Sequence, residues 1–177
     1  MRTIPLTRGY VAIVDDADYE RFSHYTWRAV VRSNTLYATR HVPKDVDGKH
    51  RSILMHREVM DACPGEEVDH INHNGLDNRR ENLRICSRLE NSRNRIKTWG
   101  SSQYKGVSWQ KDRGKWQAYI KAGKRMEHLG NFVNEEDAAR AYDRAARNYF
   151  GEFAHLNFPE EMEEHEYQEK LPSEEWS

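Results

Sequence analysis

The sequence predicts an α+β fold: a β-rich N-terminal segment, then a strand, loop, strand, helix unit, then a three-stranded antiparallel sheet packed on one α-helix. Three observations predict it. Short apolar or alternating runs bounded by Gly, Pro, Asn and Asp recur through the first sixty residues and again after Tyr104. Between them, VDHINHNGLDNRRENLRICSRLENSRNRIK at Val68–Lys97 orders a strand, a turn-rich connection, a second strand and a capped helix. A helical period follows the last strand run, with Ala138, Ala141, Tyr142, Ala145 and Tyr149 at steps of three and four.

In chain order, Leu6–Val14 reads as a strand ending at the acidic turn Asp15-Asp16, and Asp18–His24 as a short helix. Trp27–Val31 and Thr35–His41 are β-rich runs joined by Ser33-Asn34, a hairpin turn. Pro43–Lys49, with Asp47-Gly48, is a further turn, and Ser52–Met60 (SILMHREVM) allows a short helix. Glu67–Ile71 and Leu83–Cys86 are strands. Ser87 with Glu90 three residues later is a capping box, so a helix begins at Arg88 and runs to about Lys97.

Thr98–Ser102 (TWGSS) is a small polar connector and the domain boundary. Beyond it Tyr104–Gln110, Lys115–Lys121 and Arg125–Phe132 read as strands turned at Gly114 and Gly123. The helix after them takes Asn134 as N-cap and stops at Gly151. Its Ala and Tyr stripe is read as core packing.

Hydrophobic residues make up 37% and charged residues 32% of the 177, so each core is small. No apolar run approaches the ~20 residues of a membrane span, and MRTIPLTRGY lacks a signal-peptide core; the expectation is a soluble, cytoplasmic protein with no membrane partner. Cys63 and Cys86 are too few and too isolated for a disulfide framework or zinc ribbon. The net charge of −1 hides an uneven division. Residues 160–177 hold eight Glu against one Lys, an acidic tail expected to be frayed or disordered, and that leaves residues 1–159 at +6. A basic body is consistent with a nucleic-acid partner.

Phosphodiester hydrolysis needs an activated water, charge stabilisation at the phosphoryl oxygens and help for the leaving oxygen. A hard divalent cation held by oxygen ligands supplies the last two. Asp69 and Asn91 are ligands of that kind, and a neutral His70 can take the water's proton. Adjacent strand residues point to opposite faces, so Asp69 and His70 serve one site only if the strand bends between them.

The runs VDHIN at Val68–Asn72, NRRENLR at Asn78–Arg84, LENSRNR at Leu89–Arg95 and LMHRE at Leu54–Glu58 resemble the HNH, or ββα-metal, nucleases, especially phage and intron homing endonucleases. The resemblance implies that His70 is the general base, Asp69 and Asn91 hold Mg²⁺ (or Mn²⁺), and Asn82 pins the loop. Arg95 is placed to hold a phosphate, with Arg93 or Lys97 on a neighbouring face. The last motif position is Asn91 where the literal pattern has His, which favours oxygen ligation over zinc. His73 reads as a loop residue, and His56 as a packed helix histidine or an accessory group.

Tyr104–Pro159 resembles the plant APETALA2/ethylene-response DNA-binding domain through YKGVSW, GKWQAYI, HLGNF, EEDAARAYDRAA and HLNFP. That resemblance implies a sheet lying in the major groove of double-stranded DNA. Period-two alternation assigns Trp116, Ala118 and Ile120 to the helix side and Gln117, Tyr119 and Lys121 to DNA. Lys105, Ser108, Gln110, Met126 and His128 are similarly placed, and Arg125 is in reach of a phosphate.

The expected domains are residues 1–98, with a nuclease core at 52–98, then 99–159 and the tail 160–177. The expected activity is a monomeric, metal-dependent, site-specific homing endonuclease. The rival expectation is a non-catalytic DNA-binding regulator that keeps the nuclease fold as a scaffold. An RNA-binding accessory protein has only the basic charge in its favour.

Overall fold

Ile4, Ala12 and Val14 face inward from a two-stranded antiparallel ribbon, β1 (Arg2–Pro5) against β2 (Val11–Val14). The ribbon begins the first of two compact units, Met1–Ser92 and Arg93–Ser177, into which the computed structural model divides. Residues 1–42, 51–94 and 100–161 are described. The turn expected at Pro43–Lys49, the residues Arg95 and Lys97 and nearly all of the acidic tail lie outside them. No helix among the described residues is long and apolar enough to cross a membrane.

β1 has one core-facing residue, Ile4, too little for a periodic signal, so only its pairing reveals it. The run expected as one strand at Leu6–Val14 is interrupted at Thr7–Gly9, where Arg8 and Gly9 take positive φ, and only β2 remains extended. Helix α1 (Asp16–Phe22) buries Phe22 against Trp27. β3 (Arg28–Arg32), β4 (Thr35–Val42) and β5 (Arg51–Leu54) form an antiparallel sheet in the order β3-β4-β5. Ser33 and Asn34 both take positive φ, the geometry of a type I′ hairpin turn. SILMHREVM divides: Ile53 and Leu54 pair with Arg40 and Thr39, while Met55 and Val59, one helical turn apart, are buried from α2 (Met55–Val59).

β6 (Glu67–His70) and β7 (Leu83–Cys86) form an antiparallel pair, and α3 (Arg88–Arg93) follows. Val68 and Leu83 share one core with Ile4, Val14, Phe22, Trp27 and Met55, so the N-terminal segment and the hairpin fold as one body. The capping box at the start of α3 is formed: the Ser87 amide donates to Glu90 Oε2 at 2.8 Å and the Glu90 amide donates to Ser87 Oγ at 3.3 Å.

The second unit is a sheet of β8 (Val107–Gln110), β9 (Lys115–Ala122) and β10 (Arg125–Phe132) in the order β10-β9-β8, with α4 (Glu135–Phe150) on one face. Ala118, Ala138, Ala139 and Ala141 make the interface thin, and Ile120, Tyr142 and Phe150 fill its end. At Gly106 a Cβ would fall 1.9 Å from the Tyr142 ring, so the helix approaches as close as a bare backbone permits. Asn134 occupies the N-cap position of α4, but its amide donates to the Asp137 carboxylate and makes no bond to the helix backbone. Asp143, buried in α4, accepts the backbone N–H groups of Asn157 and Phe158 at 2.8 Å and fastens the closing segment.

Candidate active site and nucleic-acid interface

The hairpin distributes its chemistry over two faces. β6 and β7 pair without interruption, Glu67 opposite Cys86, Asp69 opposite Arg84 and His70 opposite Leu83. Alternation therefore sends Val68 and His70 to the core side and Glu67 and Asp69 to the other. The bend that would bring Asp69 and His70 to one face is absent from the strand; His70 is its last residue, and the chain turns only beyond it. On the second face Asn91 of α3 donates its amide N–H to Glu67 Oε2. Asp69 Oδ2 accepts from Arg84 Nη2 at 2.8 Å and Nε at 3.0 Å.

The connection between the strands is held by its own polar side chains and by the N-terminal segment. Asn82 Oδ1 accepts the Asn72 amide at 3.0 Å, and Asn82 Nδ2 donates to the Asp77 carbonyl at 2.8 Å. Ile13 of β2 exchanges backbone hydrogen bonds with Leu76 and Asn78, and Arg80 is clamped by Asp15 and Asp18. At Gly75 a Cβ would lie 2.3 Å from the Leu36 carbonyl and 2.8 Å from the Tyr37 ring, which fixes the loop against β4.

That loop orients His70. Asn78 donates Nδ2 to the Leu76 carbonyl at 3.1 Å, which turns its amide oxygen toward His70 Nε2 at 3.4 Å. An amide oxygen only accepts, so in the neutral imidazole Nε2 carries the proton and Nδ1 is the basic nitrogen. Burial lowers the His70 pKa, while the Asn78 bond and the charges of Asp69 and Asp77 oppose the shift. His70 is 5% exposed and packs edge-on to His56, ring centroids 4.8 Å apart, with Tyr37 at 5.8 Å. His56 is pushed down to about 3, by burial first and then by His70 and the neighbouring arginines Arg57 and Arg32. Its Nδ1 is buried with no hydrogen-bond partner among the described residues.

Glu67, Asp69 and Asn91 offer oxygen donors only, the set that suits a hard divalent ion, and Cys86 is no rival because burial raises its thiol to about 11. Among the described residues no group of three His, Cys, Asp or Glu side chains converges as a metal cage. Arg84 balances the charge of Asp69.

Residues 61–93 match the family model described as HNH endonuclease. An uncharacterized HNH endonuclease of Acanthamoeba polyphaga mimivirus is 39% identical over 90 residues, 51% of this chain and 46% of the viral protein. A second similarity is to plant proteins. An AP2-like ethylene-responsive transcription factor of Oryza sativa subsp. japonica is 41% identical over 88 residues, 45% of this chain and 13% of its own length. The dehydration-responsive element-binding protein 2D of Arabidopsis thaliana is 47% identical over 64 residues, 35% of this chain and 31% of its own. The chain thus spans less than half the length of each of these relatives.

In the second unit, register places Ser108, Gln110, Gln117, Tyr119, Lys121 and His128 on the sheet face away from α4. Three other candidate contacts are placed differently. Lys105 donates its ammonium to the Arg93 carbonyl, and burial lowers it to about 8, so it is tied to a backbone carbonyl and not presented on the sheet. Arg125 pairs opposite Ala122, in phase with the helix-facing Ile120 and Ala118. The Arg93 guanidinium lies over the Phe150 ring at 4.7 Å. A bulge between His128 and Gly130 shifts the phase of β10 and brings Asn131 opposite Gln117, onto the outer face. Asn131 Oδ1 and Gln110 Oε1 are buried there, with no hydrogen-bond partners among the described residues. Simple alternation along β10 misses Asn131, whereas Glu67 was legible as the residue two before Asp69.

Proposed function

We propose that the chain is a metal-dependent, site-specific DNA endonuclease of the homing type, acting as a monomer. Residues 1–98 form the ββα-metal nuclease and residues 99–159 an APETALA2/ethylene-response-type domain that adds DNA binding. One observation carries the reading: His70, its Nε2 facing the Asn78 amide oxygen, adjoins Asp69 on a hairpin whose following helix brings Asn91 against the same strand.

Asp69 and Asn91 are the residues that would hold the ion. When bound, Mg²⁺ or Mn²⁺ supplies a Lewis acid for the phosphoryl and leaving oxygens. His70 Nδ1 takes the proton of the attacking water, and Asn78 and Asn82 keep the imidazole and loop in place. Arg95 is the proposed phosphate contact. In the second domain the outer-face side chains, Gln117 and Gln110 among them, read base edges. Joining two modest DNA-binding surfaces raises affinity through effective concentration.

A non-catalytic regulator is the second reading, favoured by the engagement of Asp69 with Arg84. A randomised duplex library incubated with Mg²⁺ and then with EDTA decides between them. Cut products sharing a sequence, formed with Mg²⁺ and absent with EDTA, support the nuclease. Selective retention of DNA with no cleavage under either condition supports the regulator.

A further inference from the structure

We infer that Glu67 is a positioning residue that sets which atom of Asn91 faces the cation. The inference rests on the cation site of the proposed function and deepens it.

An asparagine amide has two ends of nearly equal shape, and only the oxygen can ligate a hard cation. Turned by half a rotation, Asn91 would present an NH₂ group to the ion and repel it. The structure supplies a reason why it is not turned: Asn91 Nδ2 donates to Glu67 Oε2. A carboxylate only accepts, so Glu67 tolerates the amide in one orientation, with its oxygen left for another partner.

Glu67 is correctly placed for this. It lies two residues before Asp69 on β6, hence on the same face, roughly 7 Å along the strand. The first turn of α3 is fixed independently by the Ser87–Glu90 capping box, so the helix delivers Asn91 to Glu67 without depending on that bond. Outer groups that orient a ligand commonly matter to metal affinity nearly as much as the ligand itself.

The test is Mn²⁺ binding to the full chain, by calorimetry and by electron paramagnetic resonance, in a double-mutant cycle of Glu67→Gln and Asn91→Asp. The amide introduced by Glu67→Gln can donate as well as accept and no longer dictates how Asn91 is turned. The carboxylate introduced by Asn91→Asp has two equivalent oxygens and no orientation to lose. Glu67→Gln is expected to weaken Mn²⁺ binding roughly tenfold or more with Asn91 in place, and less than about threefold in the Asn91→Asp background. Equal losses in both backgrounds would overturn the inference, since a direct ligand or a fold defect acts on both. No loss beside Asn91 would overturn it as well. Asp69→Ala keeps the two levels separate: it is expected to abolish binding, and undiminished binding in that variant would overturn the cation site itself, whatever Glu67 does.

Discussion

Asp69 and Arg84, directly opposite each other on β6 and β7, form a buried ion pair in which Arg84 Nη2 and Nε both donate to Oδ2, at 2.8 and 3.0 Å. Their side chains are 8% and 11% exposed. Arg84 thus balances the charge of the carboxylate proposed to hold the cation, and a cation bound there would compete with the guanidinium for it.

Arg84→Met, which keeps the aliphatic stem, should therefore have two opposite effects. Without divalent ions it strips a buried carboxylate of its guanidinium, at a cost of about 3 kcal/mol. With Mn²⁺ present the loss should shrink, because an ion that binds the folded state restores stability by mass action. Thermal unfolding in EDTA and in millimolar Mn²⁺ measures both. An equal deficit in the two buffers would remove Arg84 from the role of counter-ion.

His56 predicts an acid-sensitive first unit. Its folded pKa lies near 3 against an ordinary 6.5, so between those values the unfolded chain binds a proton that the folded chain refuses. Stability is then fully present above pH 6.5 and declines as the pH falls toward 3. Hydrogen exchange at buried positions such as Phe22 and Ala38 across that range should show the decline. In His56→Leu the slope should be shallower, and an unchanged slope would assign the acid sensitivity to other groups.

Much of this arrangement was legible in the sequence because it is local. Ser87 and Glu90 announce the start of α3, Ser33-Asn34 the hairpin, and the Ala stripe of α4 its packed face. Alternation along β9 separated Ala118 and Ile120 from Gln117 and Tyr119. The pairing of Asp69 with Arg84 follows from register, which no single strand discloses. Tyr37 against His56 and His70, and Ile13 against the loop, are contacts between distant segments with no local signature. Asn131 escaped for a third reason, since a bulge shifts the phase that alternation assumes. Lys105 shows the limit of charge as a guide: a lysine expected among the DNA contacts is committed to a backbone carbonyl.

That contrast gives a prediction for the second unit. Lys121→Ala should weaken DNA binding similarly on all sequences and lower the slope of log affinity against log salt by about 1. Lys105→Ala should leave the slope unchanged. Gln117→Ala should instead relax preference at one base pair by about 1–3 kcal/mol. Titrations of the full chain at several KCl concentrations compare the three, and a salt slope lowered by Lys105→Ala would return that residue to the interface.

His70 is the proposed base of a nuclease. The most direct measurement is cleavage of a selected DNA target by His70→Ala in Mg²⁺, with binding to the same target measured in parallel. Cleavage should be lost while DNA binding is retained; full cleavage by His70→Ala would contradict the assigned mechanism.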